Sequence, residues 1–325
     1  MFNDKAFGEL SPDRILSVLE GSGFACDGRL LALNSYENRV YQVGIHEAEP
    51  VVAKFYRPGR WSSDAILEEH KFTKELYDSE VPVVPPITVK SGGTLIEQDG
   101  FRVSVYPRRG GRDPNFENKE NLKIMGRNLA RLHTVGSAGG FQHRENIDPV
   151  TLGHNSVSFV EQYCVPVELR QAYKTLANDL LTVIDASWTI ASELRTIRLH
   201  GDCHVGNILW RNSLPNFVDF DDSRTGPAVQ DLWMLLSGTV EEQRSQMSTI
   251  LEGYADFATF DFRELTLLQP LRALRMLHYA AWLGRRQEDP AFVKGFPWFY
   301  SHAYWENHIL DLREQFADMQ EQFIL

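Results

Sequence analysis

The sequence predicts an α+β protein in two parts, a small antiparallel β-rich part over residues 1–106 and a larger, mainly helical part over residues 107–325. Short runs of β-branched and aromatic residues crowd the first hundred positions, punctuated by Gly-containing turns. One helical pattern interrupts them, and beyond Asn115 apolar residues recur at helical spacing.

The strand candidates are Leu30 to Leu33, Val40 to Ile45, Val51 to Tyr56, Thr94 to Glu97 and Phe101 to Tyr106, with Gly92-Gly93 and Asp99-Gly100 as hairpin turns. The interrupting helix runs from Asp64, its expected cap, to Asp78, and offers Ile66, Leu67, His70, Phe72 and Leu76 as apolar surface. In the second part Leu122, Met125, Leu129 and Leu132 mark a helix ending near Gly136. Further helices are expected over 159–185, 229–236, 241–254, 262–286 and 302–323. No internal repeat, low-complexity tract or long linker interrupts the series.

Composition narrows the classes of function. A chain of 325 residues buries a large core, and 33 basic against 44 acidic residues give a net charge of −11. General attraction to nucleic acid or anionic lipid is not expected from that balance. Cys26, Cys164 and Cys203 form no CxxC pair, which suits a reducing compartment. The first residues, Met1 to Glu9, lack a basic start and an apolar export segment, and no apolar run reaches membrane-spanning length. The expectation is a cytoplasmic protein with no membrane and no nucleic-acid partner.

The most informative segment is His200-Gly201-Asp202-Cys203-His204-Val205-Gly206-Asn207, followed by Val218-Asp219-Phe220-Asp221-Asp222. Asp202 and Asn207 stand five positions apart, the interval between the catalytic Asp and the metal-binding Asn of the protein-kinase catalytic loop. Asp219-Phe220-Asp221 stands where that family has its magnesium-binding D-F-G. Phosphoryl transfer needs such groups: a carboxylate to orient the attacking hydroxyl, and oxygen ligands to hold magnesium against the phosphates. Ile208 to Trp210 and Phe217-Val218 read as two short strands whose hairpin returns Asp219 to Asn207. Isolated, an Asp and an Asn at this spacing would be turn chemistry. Alternating His200, Asp202 and His204 also suit a zinc hydrolase, but no second histidine cluster supplies further ligands.

Val51 to Tyr56 resembles the strand whose lysine holds nucleotide phosphates and pairs with a glutamate on the next helix, which makes Lys54 the nucleotide lysine. A lysine closing an apolar strand is otherwise a solvated edge residue. Glu69 shares a helical face with Phe72 and Leu76, so it is the expected partner and Glu68 the solvated neighbour. No G-x-G-x-x-G follows the first strand; Asn34 to Arg39 stands there, where Ser35 and a nest of backbone N–H groups suit phosphate oxygens and a polar hairpin turn suits the composition equally. Adenine is expected against the backbone of Ser104, Val105, Tyr106 and Pro107.

With Asp231 in Gly226-Pro227-Ala228-Val229-Gln230-Asp231, these motifs resemble the aminoglycoside phosphotransferase and choline kinase superfamily, which has a bilobal protein-kinase-like fold. Leu33 to Tyr41, Lys54 to Pro58, Ile66 to His70, Arg198 to His204 and Phe296-Pro297-Trp298 are similar to its bacterial stress-response kinases, a likeness that spans nearly the whole chain. The resemblance implies an ATP- and Mg2+-dependent, monomeric serine/threonine protein kinase. It makes Asp202 the proton acceptor, Asn207 and Asp219 the magnesium ligands, Ser35 a site at the ATP phosphates and Asp231 a structural residue. Only residues 220–230 separate Asp219 from Asp231, too few for an A-P-E element or a long activation segment. A small alcohol acceptor of the aminoglycoside, choline or homoserine type is therefore the alternative, and a nucleotide-binding pseudokinase scaffold a further one. Two features stay open: whether the aromatic tract from His278 to Trp305 lines an acceptor pocket or packs a core, and whether Cys203 is a redox-sensitive thiol or inert packing.

Overall fold

A computed structural model describes residues 7–321 and residue 323. The chain divides into two compact units. The first comprises Met1–Asn115, Phe141–Arg144 and Val205–Ser223; the second comprises Phe116–Gly140, Glu145–His204 and Arg224–Leu325. Division by packing thus differs from a single cut after residue 106, because two later segments fold with the N-terminal sheet.

In the first unit, α1 (Pro12–Gly21) precedes the strands β1 (Cys26–Leu33), β2 (Arg39–Ile45) and β3 (Ala48–Phe55). Then come α2 (Ser63–Asp78), β4 (Ile96–Gln98) and β5 (Phe101–Pro107). The sheet order is β1-β2-β3-β5-β4, with every pairing antiparallel. Alternation along β3 sorts its side chains: Val51, Ala53 and Phe55 join Ile15, Val18 and Leu19 of α1 in one core, which leaves Lys54 on the opposite face. α1 was not anticipated, although Ser11-Pro12 is a helix-start signature and the Ser11 hydroxyl accepts from Arg14 N–H at 3.3 Å. At α2 the cap is Ser62, which accepts from Ala65 N–H at 3.1 Å; Asp64, expected as the cap, lies inside the first turn.

The second unit contains α3 (Lys119–Gly136), α4 (Asn155–Tyr163), α5 (Arg170–Ile190), β6 (Ile197–Arg198), β7 (Thr225–Gly226), α6 (Val229–Trp233), α7 (Val240–Tyr254), α8 (Leu268–Gly284), α9 (Pro290–Gly295) and α10 (His302–Asp318). The helix expected over 159–185 is two helices, since Pro166 in the intervening turn lacks the N–H that a continuous helix would need. That over 262–286 begins as a 3-10 turn, Phe262–Leu267, before α8. α10 ends at Asp318, and residue 322 of the expected 302–323 helix lies outside the described residues.

α3 and α7 touch backbone to backbone. A Cβ on Gly126 would stand 1.9 Å from the Ile250 carbonyl oxygen, and one on Gly253 2.1 Å from that of Lys123. The core of this unit joins Tyr173, Leu180, Leu277, Phe292, Phe299 and Trp305. Much of the aromatic tract is therefore packing, though Tyr279, Trp298 and Tyr300 remain exposed. Among the described residues, no helix is long and apolar enough to cross a membrane.

Candidate active site

β3 delivers Lys54 to a buried position beneath α2. Its Nζ lies 2.8 Å from Asp219 Oδ1 and 3.2 Å from Asp221 Oδ1. Burial alone would depress the ammonium, but the two carboxylates outweigh it and hold its pKa well above the ordinary value. Asp219 and Asn207 meet as the hairpin reading required: Val218 N–H donates to the Asn207 carbonyl at 3.0 Å, and Leu209 and Asn216 exchange backbone hydrogen bonds at 2.9 Å. The two arms pair through the Ile208–Phe217 bridge without forming extended strands. Asp219 itself has φ +61°, a left-handed conformation uncommon for a residue with a side chain. That turn leads into the 3-10 segment Phe220–Asp222, where buried Phe220 packs edge-on against Phe72 of α2 at 6.1 Å between centroids.

Glu69 faces this site and is 2% exposed, but it is not the ion-pair partner of Lys54; Asp219 and Asp221 hold the ammonium within 4.0 Å, while Glu69 acts on it only through its charge. Burial pushes the Glu69 carboxyl up to about 7 against the downward pull of Lys54 and Arg144. Glu68 is not simply solvated either. Its two oxygens accept from Gln142 N–H at 2.7 Å and His143 N–H at 2.8 Å.

Folded Glu69 holds its proton to higher pH than its ordinary value of 4.5, so the native state binds more protons and Glu69's contribution to stability falls as pH rises from about 4.5 through about 7. Glu69→Gln is neutral throughout. Thermal unfolding of both proteins at pH 5 and pH 7.5 should show a smaller drop in Tm for the variant, and parallel pH dependence in the two would contradict the assignment.

The segment after Asp219 ties down the loop that holds Ser35. Asp221 Oδ2 accepts from Asn38 Nδ2 at 3.1 Å and from Arg60, whose other terminal nitrogen reaches Asp222 Oδ1 at 2.6 Å. Asn38 Oδ1 accepts from Arg57 N–H at 3.0 Å, and the Arg57 guanidinium donates to the carbonyls of Glu37 and Tyr36 at 2.9 and 3.2 Å. Ser35 is half-buried in this clamped loop. Arg144 is buried and ties the segment after Asp219 to α2, donating to the Ala65 carbonyl at 2.9 Å and the Ser223 carbonyl at 2.5 Å. The motif that held Asp221 gave it no such role, and no motif marked Arg60 or Arg144, whose bonds to Asp221 and Ala65 span about 80 or more positions.

At the expected adenine edge the Ser104 hydroxyl is buried and meets His70 Nε2 at 3.1 Å, and the Val105 carbonyl accepts from Ile87 N–H. Tyr106 Oη lies 3.1 Å from Tyr56 Oη. These side-chain and carbonyl groups are occupied within the fold.

In the second unit the β6–β7 pair sets the loop that carries Asp202. Leu199 N–H donates to the Arg224 carbonyl at 2.9 Å, and buried Asp231 then accepts from His200 N–H and Gly201 N–H, each at 2.9 Å. Gly201 has φ +83°, a turn that favours glycine. Asp202 Oδ1 accepts from Arg275 Nη1 at 2.7 Å, and Oδ2 lies 3.4 Å from His204 Nε2. Burial raises the Asp202 carboxyl, but the bond from His204 and the charge of Arg275 outweigh it and hold the pKa well below the ordinary range. His200 accepts Asp202 N–H on Nδ1 at 3.3 Å, so the alternating triad is used internally, and no group of three or more His, Cys, Asp or Glu side chains is gathered as a metal site among the described residues. Cys203 is fully buried, and burial with the nearby Asp231 and Asp202 charges pushes its thiol well up, the condition of inert packing.

A model of the phosphotransferase enzyme family, APH, matches residues 29–268. The chain belongs to that family. It is 44% identical to stress response kinase A of Escherichia coli K12 across 97% of this chain and 95% of that protein. It is also 42% identical to serine/threonine protein kinase RdoA of Salmonella typhimurium LT2 across 98% of this chain and 97% of that one. Among solved structures, amicoumacin kinase hAmiN, in complex with AMP-PNP and Ca2+, superposes with a TM-score of 0.74 at 17% identity, covering 96% of this chain and 95% of that one. A microcompartment-associated aminopropanol kinase gives 0.73 at 17% identity, covering 96% and 100%. At those identities the structures show the fold, an antiparallel-sheet unit with a helical one, as in kinases. The family makes the chain a kinase-type phosphotransferase, and a nucleotide is its phosphoryl donor.

Proposed function

We propose that this protein is an ATP- and Mg2+-dependent serine/threonine protein kinase of a bacterial stress response. What carries the choice of acceptor is likeness over nearly the whole chain to a relative named as a serine/threonine protein kinase, at 42% identity. The geometry supports the transfer chemistry.

Asp202, held by Arg275 and His204, would accept the hydrogen of the attacking hydroxyl and aim its oxygen. Its depressed basicity suits orientation more than outright deprotonation, as the loose transition state of phosphoryl transfer allows. Lys54 would turn its permanent charge to the phosphates, and the clamped loop would present Ser35 and its backbone N–H groups to them. Asn207 and half-exposed Asp219 offer oxygen donors only, a small set that fits magnesium, which takes few protein ligands beside phosphates and water. Neutralisation of phosphate charge is the chemistry that the metal supplies when bound.

One observation favours a small-molecule acceptor. The span from Asp219 to Asp231 holds a 3-10 turn, β7 and the first residues of α6, with no long segment to carry a peptide. Purified protein with γ-labelled ATP, generic protein acceptors and a panel of amino alcohols separates the two. Label on protein alone supports the proposal, and label on the alcohols alone contradicts it.

A further inference from the structure

The outer face of α8 places one cation against the proposed base. Leu271, Leu274 and Leu277 anchor the helix in the core, which turns Arg275 outward with 45% of its side chain exposed. Its Nη1 reaches Asp202 Oδ1 at 2.7 Å, and that is its one hydrogen bond among the described residues. A guanidinium carries five N–H donors in a planar fork, so Nε and Nη2 remain for a second anion while Nη1 stays on Asp202. His204 approaches the other Asp202 oxygen at 3.4 Å. One turn before Arg275, Arg272 lies over Trp233 with its guanidinium 5.5 Å from the ring and donates to Gln243 at 2.6 Å. A permanent cation, Arg275, thus bears on Asp202 from α8. An acceptor with its own ammonium beside the hydroxyl would bring like charge against Arg275, whereas one with a carboxylate or phosphate there would complete a charge-assisted pair.

We propose that Arg275 selects the acceptor: hydrogen-bonded to Asp202, it binds an anionic group next to the target hydroxyl, so the protein substrate is a Ser or Thr flanked by an acidic or phosphorylated residue. This rests on the protein-acceptor reading and narrows it. Arg275 then acts twice, orienting Asp202 and reading the charge beside the hydroxyl that Asp202 receives.

The test compares kcat/KM for Ser peptides with Glu, phosphoserine, Gln or Lys beside the target, for a hydroxycarboxylic acid and for an amino alcohol, using wild type, Arg275→Lys, Arg275→Ala and Arg275→Glu. Wild type should favour the acidic or phosphorylated peptide over the Lys peptide by about tenfold or more, mainly through KM. Arg275→Lys should keep part of that ratio, Arg275→Ala should lose it and Arg275→Glu should reverse it. Equal loss of kcat on every peptide, with the ratio intact, would make Arg275 merely structural and overturn the proposal. Peptide phosphorylation without charge preference would overturn it too, while leaving the protein-kinase reading in place. Arg275-dependent turnover of the hydroxy acid with no peptide activity would uphold Arg275 and reject the protein acceptor. Turnover of the amino alcohol alone would reject both.

Discussion

Asp202→Ala is expected to lose phosphoryl transfer by about 10²- to 10⁴-fold, the usual worth of a positioned general base, while still binding Mg-ATP. The structural reason is that Asp202 belongs to the loop fixed by Asp231 and meets Arg275 and His204, whereas the lysine expected at the phosphates is paired with other carboxylates. Removing it strips the acceptor hydroxyl of its orienting oxygen and leaves Lys54, Asp219 and Asn207 in place. Isothermal titration with Mg-ATP beside single-turnover transfer reads both quantities. Turnover near that of wild type would remove Asp202 from the chemistry, and loss of nucleotide affinity equal to the loss of transfer would mean that the change had damaged the fold.

Asp219→Asn should fail at an earlier step. The carboxylate is the one charged ligand proposed for the metal, and its neutral replacement keeps the shape while losing the charge. Mg-ATP affinity is expected to fall by about tenfold or more, with each tenfold step worth about 1.4 kcal/mol. The same substitution takes from Lys54 one of its two anions, so Asp221 alone would hold the ammonium in place. Titration of nucleotide with and without magnesium distinguishes the effects: the metal-dependent part of the affinity should shrink most. Unchanged Mg-ATP affinity in a folded variant would mean that Asp219 is not a principal ligand.

The sequence revealed groups whose spacing is local. Asn207 and Asp219 stand close in sequence and a hairpin joins them, so turn chemistry sufficed to bring their segments together. Lys54 was legible from the likeness of its strand to the kinase lysine strand, and helical spacing picked Glu69 over Glu68 as the buried carboxyl. What escaped depends on distant packing. Local spacing gives no way to foresee that Asp221 would outcompete Glu69 for Lys54, because the outcome turns on where Phe220 docks under α2. Arg60 and Arg144 became interior clamps through partners about 80 to 160 positions away. Arg275 was silent for the same reason: it stands 73 positions from Asp202. The helical errors have local causes that could have been seen, Pro166 dividing α4 from α5 and Ser11-Pro12 opening α1.

The proposed reaction moves the γ-phosphoryl group of ATP to protein hydroxyls through Asp202. Its most direct test is phosphoamino-acid analysis of a protein acceptor after incubation with γ-labelled ATP and Mg2+, with wild type and Asp202→Ala run side by side. Labelled phosphoserine or phosphothreonine is expected with wild type, and at most about a hundredth of that label with the variant. Label on protein hydroxyls at equal rates with both enzymes, or none with wild type while an amino alcohol is phosphorylated, would contradict it.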